Sequence, residues 1–236
     1  EGYGYTVATE MYSAGIDRLT HQPLSFSVSE TTEGVHIHII DAELMGKGEK
    51  EKKDLYIEGI QNNGIINHYE YIINSEGTIE IRHVLKPEGK MPLWFPRIGL
   101  TLTVSDALDQ VKWYGRGPQE NYPDRKTGYP TGIYASTVQA MYEPYLMPQD
   151  YGLRTDVRWL QLTTDKGIGL QFKMNEWFNF NIYPYSTDNL TKAMYTYQLQ
   201  KQKGMTLNLD YATTGVGCTA RGVFGAYKAM PQEYRR

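Results

Sequence analysis

Alternation of apolar and polar residues dominates the chain. Leu24-Ser25-Phe26-Ser27-Val28-Ser29 alternates strictly, and Val35-His36-Ile37-His38-Ile39 repeats the pattern after a turn at Gly34. A two-residue period places successive side chains on opposite faces of an extended strand. Residues 55–60 read as the next strand, Asn62-Asn63-Gly64 as a hairpin turn, and residues 65–73 as the strand leaving it. Ser75-Glu76-Gly77 turns into a strand over 78–84. Further strands are expected at 98–104, 110–114, 157–162, 169–172, 178–182 and 205–210. Short strands separated by turn signals, with no helical stretches between them, predict an all-β fold of antiparallel sheets, a sandwich or a barrel.

Two stretches break the rhythm. Residues 45–53 are polar and glycine-spaced, and read as a solvated hairpin loop. Residues 115–151 alternate little and hold Pro118, Pro123, Pro130, Pro144 and Pro148. Loops this long are usually functional or disordered, and the many aromatics here argue for order. A short helix is expected from Ser186 to Ala193, with Ser186 or Thr187 as N-cap. Residues 1–20, containing Met11-Tyr12-Ser13-Ala14-Gly15, read as a helical entry segment. No repeat and no Ser/Gly linker divides residues 1–236, so a single domain is expected, cut at both ends from a longer multidomain protein.

Composition narrows the partners. A net charge of −3 with scattered Lys and Arg gives no basic stripe for nucleic acid. No apolar run approaches the length of a membrane-spanning helix. Cys218 is the only cysteine, which rules out an internal disulfide and cysteine-rich zinc patterns, and fits the cytoplasm without excluding the periplasm. His36 and His38 share one strand face, but no third metal ligand lies near them in sequence, so they read as a solvent-facing pair and no metal site is assigned. Tyrosine is over-represented, with 20 residues. Its flat apolar ring and polar tip suit sugar faces, sheet interiors and domain interfaces alike.

The most informative stretch is Trp113-Tyr114-Gly115-Arg116-Gly117-Pro118-Gln119-Glu120-Asn121-Tyr122-Pro123-Asp124-Arg125. It resembles the W-x-G-x-G-P-x-E-N-Y-x-D-R signature of the C-terminal, or small-chain, domain of large bacterial family 2 β-galactosidases. The likeness continues in order. Met141-Tyr142-Glu143-Pro144-Tyr145, the stretch from Pro148 to Arg154, the stretch from Phe180 to Ser186, Leu207-Asn208-Leu209-Asp210 and Gly215-Val216-Gly217 all resemble later elements of that family. The resemblance implies an antiparallel supersandwich similar to the galactose mutarotase-like fold. It implies a non-catalytic domain that helps form the active-site rim of a retaining enzyme acting on terminal β-D-galactosides such as lactose. The implied partners are β-galactoside sugars, the catalytic TIM barrel of the parent chain and further copies of the parent in a homo-oligomer. It implies no cofactor in this chain and leaves Mg²⁺ or Na⁺ to the parent's other domains. Two other readings stay open, a stand-alone carbohydrate-binding module and a mutarotase-like epimerase. The position of all five histidines, before residue 84, argues against the latter.

The signature residues Trp113, Gly115, Gly117, Pro118, Glu120, Asn121, Tyr122, Asp124 and Arg125 also have a plain physical reading. Gly115 and Gly117 allow unusual backbone angles, Pro118 and Pro123 fix φ, and Arg116, Glu120, Asp124 and Arg125 can pair with one another to pin an irregular loop. Such a loop either serves the fold or walls a sugar pocket. The family resemblance points to Trp177 as the aromatic lent to the sugar cleft, with Phe172 as the alternative. Arg154, Asp156 and Arg158 alternate, which predicts a charged ladder on one strand face. Asn175-Glu176 matches the family's acid-bearing dipeptide, but is read as coincidence in a turn between strands, and no catalytic residue is assigned. Nothing in the chain alternates strand and helix as a TIM barrel must.

Overall fold

The computed structural model describes residues 14–46, 63–217 and 228–236. The expected strand at 55–60, most of the 45–53 loop and most of the 1–20 entry segment lie outside the described residues. What is described of the entry segment includes a single 3₁₀ turn, Ile16–Arg18.

The chain forms two compact units, one of residues 1–95 with 230–236 and one of residues 96–229. Each carries one antiparallel sheet, so the all-β expectation holds. In the first unit β1 (Thr20–Thr31), β2 (Gly34–Leu44), β3 (Gly64–Ile73) and β4 (Ile79–Glu88) run as a meander, and β11 (Tyr234–Arg235) adds to the far side of β4. Every residue of the edge strand β1 is exposed. The buried apolar residues of this unit include Ala42, Ile65, Ile72, Leu85, Trp94 and Phe95.

In the second unit the order is β5 (Arg97–Val104), β10 (Met205–Thr213), β9 (Gly169–Tyr183), β8 (Arg154–Thr163), β6 (Gln110–Arg116) and β7 (Thr131–Thr137). One face holds the core: Val111 and Trp113 of β6, Leu160 and Leu162 of β8, Phe178, Phe180 and Ile182 of β9, and Leu207 and Leu209 of β10. Helix α1 (Thr187–Lys192) starts as expected, with the Ser186 hydroxyl accepting from the Asn189 amide at 3.0 Å. Among the described residues no helix is long and apolar enough to cross a membrane.

Two sequence expectations fail for identifiable reasons. β7 falls inside the long loop; its only apolar run, Ile133-Tyr134-Ala135, is too short to show a period, and Gly132 contributes no side chain. The stretches 169–172 and 178–182 are one strand, because Asn175-Glu176 continues β9 instead of turning.

His83 marks the polar interior of the first unit. It is 1% exposed, its Nε2 donates to Asn67 Oδ1 at 3.0 Å, and its ring stacks on Tyr69 at 4.2 Å. Burial pushes its pKa down to about 4, and the charge of His68 acts in the same direction. The folded chain therefore keeps His83 neutral where the unfolded chain takes up a proton, below about pH 6.5. Stability is fullest above about pH 6.5 and falls as pH drops toward the folded value, because in that window only the unfolded state gains the proton. Between about pH 7 and about pH 4.5 the wild type should lose about 2–3 kcal/mol more stability than His83→Gln, measured by denaturant titration at each pH. Parallel pH profiles would contradict this assignment.

Candidate functional site

Strand β6 delivers the signature loop. Trp113 is fully buried, and its Nε1 donates to the Arg116 carbonyl at 3.0 Å, closing the chain as it leaves the sheet. The glycines serve close approach, and neither has a positive φ. A Cβ on Gly115 would lie 2.8 Å from Val157 Cγ2, and one on Gly117 would lie 2.8 Å from the Tyr134 ring and 3.0 Å from Trp113. The bond between Gly117 and Pro118 is cis.

The four charged residues of the loop each pair outward, contrary to the sequence expectation. Glu120 accepts from the Gly152 amide at 2.8 Å, from the Tyr122 hydroxyl at 3.3 Å and from the Tyr145 hydroxyl. Burial first, then the Glu120 carboxylate, pushes both phenols well above their ordinary range, so both remain donors. Asn121, fully buried, accepts from the Thr155 amide at 3.1 Å and from the Thr155 hydroxyl. Asp124 accepts from the amides of Gly217 at 2.7 Å and Val216 at 3.2 Å, while Arg125 donates to the Gly217 carbonyl at 2.6 Å. Arg116 meets Asp156 at 2.6 Å and donates to the carbonyls of Lys126 and Tyr129. Lys126 completes the group at 2.5 Å from Asp156. Burial raises the Asp156 carboxyl, but its bonds to Lys126 and Arg116 outweigh this and hold it below the usual range.

The expected Arg154-Asp156-Arg158 ladder is absent for a structural reason. β8 shifts register between Arg154 and Val157 and again between Val157 and Trp159, and Asp156 has a φ of 55°. Bulges reset which way side chains point. Arg154 turns into the interior, 5.4 Å over the Trp113 ring. Arg158 lies 4.1 Å over Trp177 and 5.1 Å over Tyr114.

That stacking defines an aromatic face on the sheet. Trp177 is 60% exposed, with Tyr114 and Trp159 beside Arg158. Phe172 packs partly buried against the core, opposite Leu160, so the two aromatics singled out from sequence are not brought together. Sequence reading missed a second exposed pair: Tyr195 and Tyr197 stack at 5.5 Å and 7°, just after α1. It also missed a buried polar network across β5, β9 and β10. There Arg97 meets Asp210 at 3.0 Å, and Asn208 donates to Asn181 at 2.8 Å and Tyr183 at 3.1 Å. The tyrosine surplus is partly interior, since Tyr142, Tyr151, Tyr183 and Tyr185 gather around Leu190.

These features define an all-β fold whose long loop is fixed by partly buried polar groups, each engaged by a partner from another segment, around the fully buried Asn121. The chain belongs to the β-galactosidase small-chain family, whose profile, described as "Beta galactosidase small chain", matches residues 9–235. It is 38% identical over 147 residues to a β-galactosidase of Priestia megaterium, 31% over 207 residues to one of Vibrio cholerae and 28% over 208 residues to one of Aeromonas hydrophila. The alignments cover 62%, 87% and 86% of this chain, and 14%, 18% and 18% of those relatives. The chain thus spans less than a fifth of the length of these curated relatives.

Glu120→Ala should destabilise the protein by about 2–4 kcal/mol, because it strands a backbone N–H and two phenols without their acceptor. Glu120→Gln keeps one acceptor oxygen and should cost less. Denaturant midpoints measure both, and an Ala variant as stable as wild type would show that the loop is not held through Glu120.

Proposed function

We propose that this chain is the non-catalytic C-terminal domain of a β-galactosidase, whose parent polypeptide hydrolyses terminal β-D-galactosides such as lactose with retention of configuration. The supporting observation is that the family match runs through nearly the whole chain while the aligned stretches make up only 14% and 18% of the relatives named β-galactosidase. A retaining glycosidase needs two carboxyl groups about 5 Å apart and free to reach the sugar. Glu120, Asp124 and Asp156 are each engaged in holding the loop. The catalytic carboxylates then belong to the rest of the parent, as does any Mg²⁺ or Na⁺ the reaction uses.

In this reading the domain borders the sugar cleft, and Trp177 is its contribution. The Arg158 guanidinium covers one side of the indole, and 60% exposure leaves the remainder for a pyranose ring. The domain works in contact with the catalytic barrel and, in an oligomeric parent, with other copies.

The isolated chain should not hydrolyse a chromogenic β-galactoside, and should bind free galactose only at about millimolar concentration or weaker, since one aromatic wall leaves most of the sugar solvated. Turnover that copurifies with the chain and disappears in Glu176→Gln would overturn the proposal, and micromolar binding by calorimetry would favour a stand-alone sugar-binding module. In the full-length parent, Trp177→Ala should remove a stacking contact of about 1–2 kcal/mol, raising KM about 5- to 30-fold with little change in kcat. An unchanged KM with a lowered Tm would make Trp177 an interface residue.

A further inference from the structure

The first unit carries a cluster that the galactosidase reading does not use. His36 and His38 alternate on β2, and Glu70 of β3 stands directly opposite His38 in the register. The third ligand missing from the local sequence is thus supplied by the next strand. Glu70 Oε1 lies 3.3 Å from His36 Nδ1 and 3.9 Å from His38 Nε2, and the two imidazole rings stack at 6.3 Å and 25°. One ligand atom from each residue falls within 4.8 Å of the other two.

We propose that His36, His38 and Glu70 bind a divalent cation of the zinc class on this sheet face. Two imidazoles and one carboxylate form the donor set such ions prefer, whereas Mg²⁺ and Ca²⁺ take oxygen ligands throughout. Metal–ligand bonds of about 2.0–2.2 Å in tetrahedral geometry put ligand atoms about 3.4 Å apart. The cluster closes to that spacing by side-chain rotations of about 1 Å, which the half-exposed His38 side chain permits.

The surroundings fit the same assignment. Arg82 holds Glu70 Oε2 at 3.0 Å, which leaves Oε1 facing the imidazoles. His36 Nε2 is buried without a hydrogen-bond partner and lies 4.0 Å from Glu33 Oε2. With Nδ1 on the metal, Nε2 would carry the proton, and a small rotation of the exposed Glu33 side chain would bring its carboxylate within hydrogen-bond reach, the outer-sphere arrangement that orients ligating histidines. Opposite the two histidines β1 places Ser29 and Ser27, small residues that leave a fourth position open to water. The site would clip β2 to β3 beside the exposed edge strand.

The test is zinc binding by the full-length protein after chelator treatment, measured by equilibrium dialysis with elemental analysis. The wild type should bind one more zinc per chain than His38→Ala or Glu70→Gln. Ser27→His places a third imidazole opposite His38 and should tighten binding at least tenfold, a gain that mere misfolding cannot produce. Equal zinc content in wild type, His38→Ala and Glu70→Gln, or no gain in Ser27→His, would reduce the cluster to an ion-pair network and overturn the proposal.

Discussion

Asp156 sits at a positive φ with its carboxylate between the Arg116 guanidinium and the Lys126 ammonium. That three-charge group joins the end of β6, the signature loop and the bulged stretch of β8. Breaking one side of a partly buried group leaves the remaining charges poorly solvated, so the partners hold each other in place. The arrangement has two directional consequences. The bulges that admit Asp156 send Arg154 inward beneath Trp113, and they bring Arg158 outward onto Trp177 and Tyr114. The inward course of Arg154 and the outward course of Arg158 onto the aromatic face therefore follow from the same bulged stretch of β8.

Where the hydrophobic period was clean, the sequence was a sufficient guide. The alternations at Phe26, Ile37, Leu100 and Leu207 all lie in strands, and Ser186 caps the helix it was expected to cap. What escaped was information carried by register and by bulges. Glu70 meets His38 only because β2 and β3 pair as they do, more than thirty residues apart in the chain. The charged row from Arg154 to Arg158 looked regular because a bulge leaves no mark in a string of residue types. The loop charges were correctly expected to pair, but with the wrong partners, since Tyr145, Gly152, Asp156 and Gly217 come from distant segments.

The signature motif thus identifies the family through architecture. Its acids and amides are engaged by backbone amides, phenols and a buried threonine, and its glycines fit spaces that no side chain would. Such a motif is specific because many close contacts must be met together. For the same reason it says little about what the domain touches. The residues that could meet a ligand, Trp177 and the stacked Tyr195 and Tyr197, lie outside it.

The five-stranded sheet is completed by residues from the far end of the chain. Tyr234 and Arg235 pair with Leu85 and Val84, and the His83 and Arg236 backbones exchange hydrogen bonds that extend the same ladder by one pair. About 150 residues separate these partners, including the whole second unit. The equilibrium cost of closing so long a loop grows only logarithmically with its length, so the closure is thermodynamically mild. During synthesis it is a matter of waiting. At about 5–20 residues per second, the β4 edge stands unpaired on the ribosome for about 8–30 s before its partner emerges. An open strand edge is a template for pairing with other chains, so over that interval the nascent chain is exposed to mispairing that the finished protein avoids.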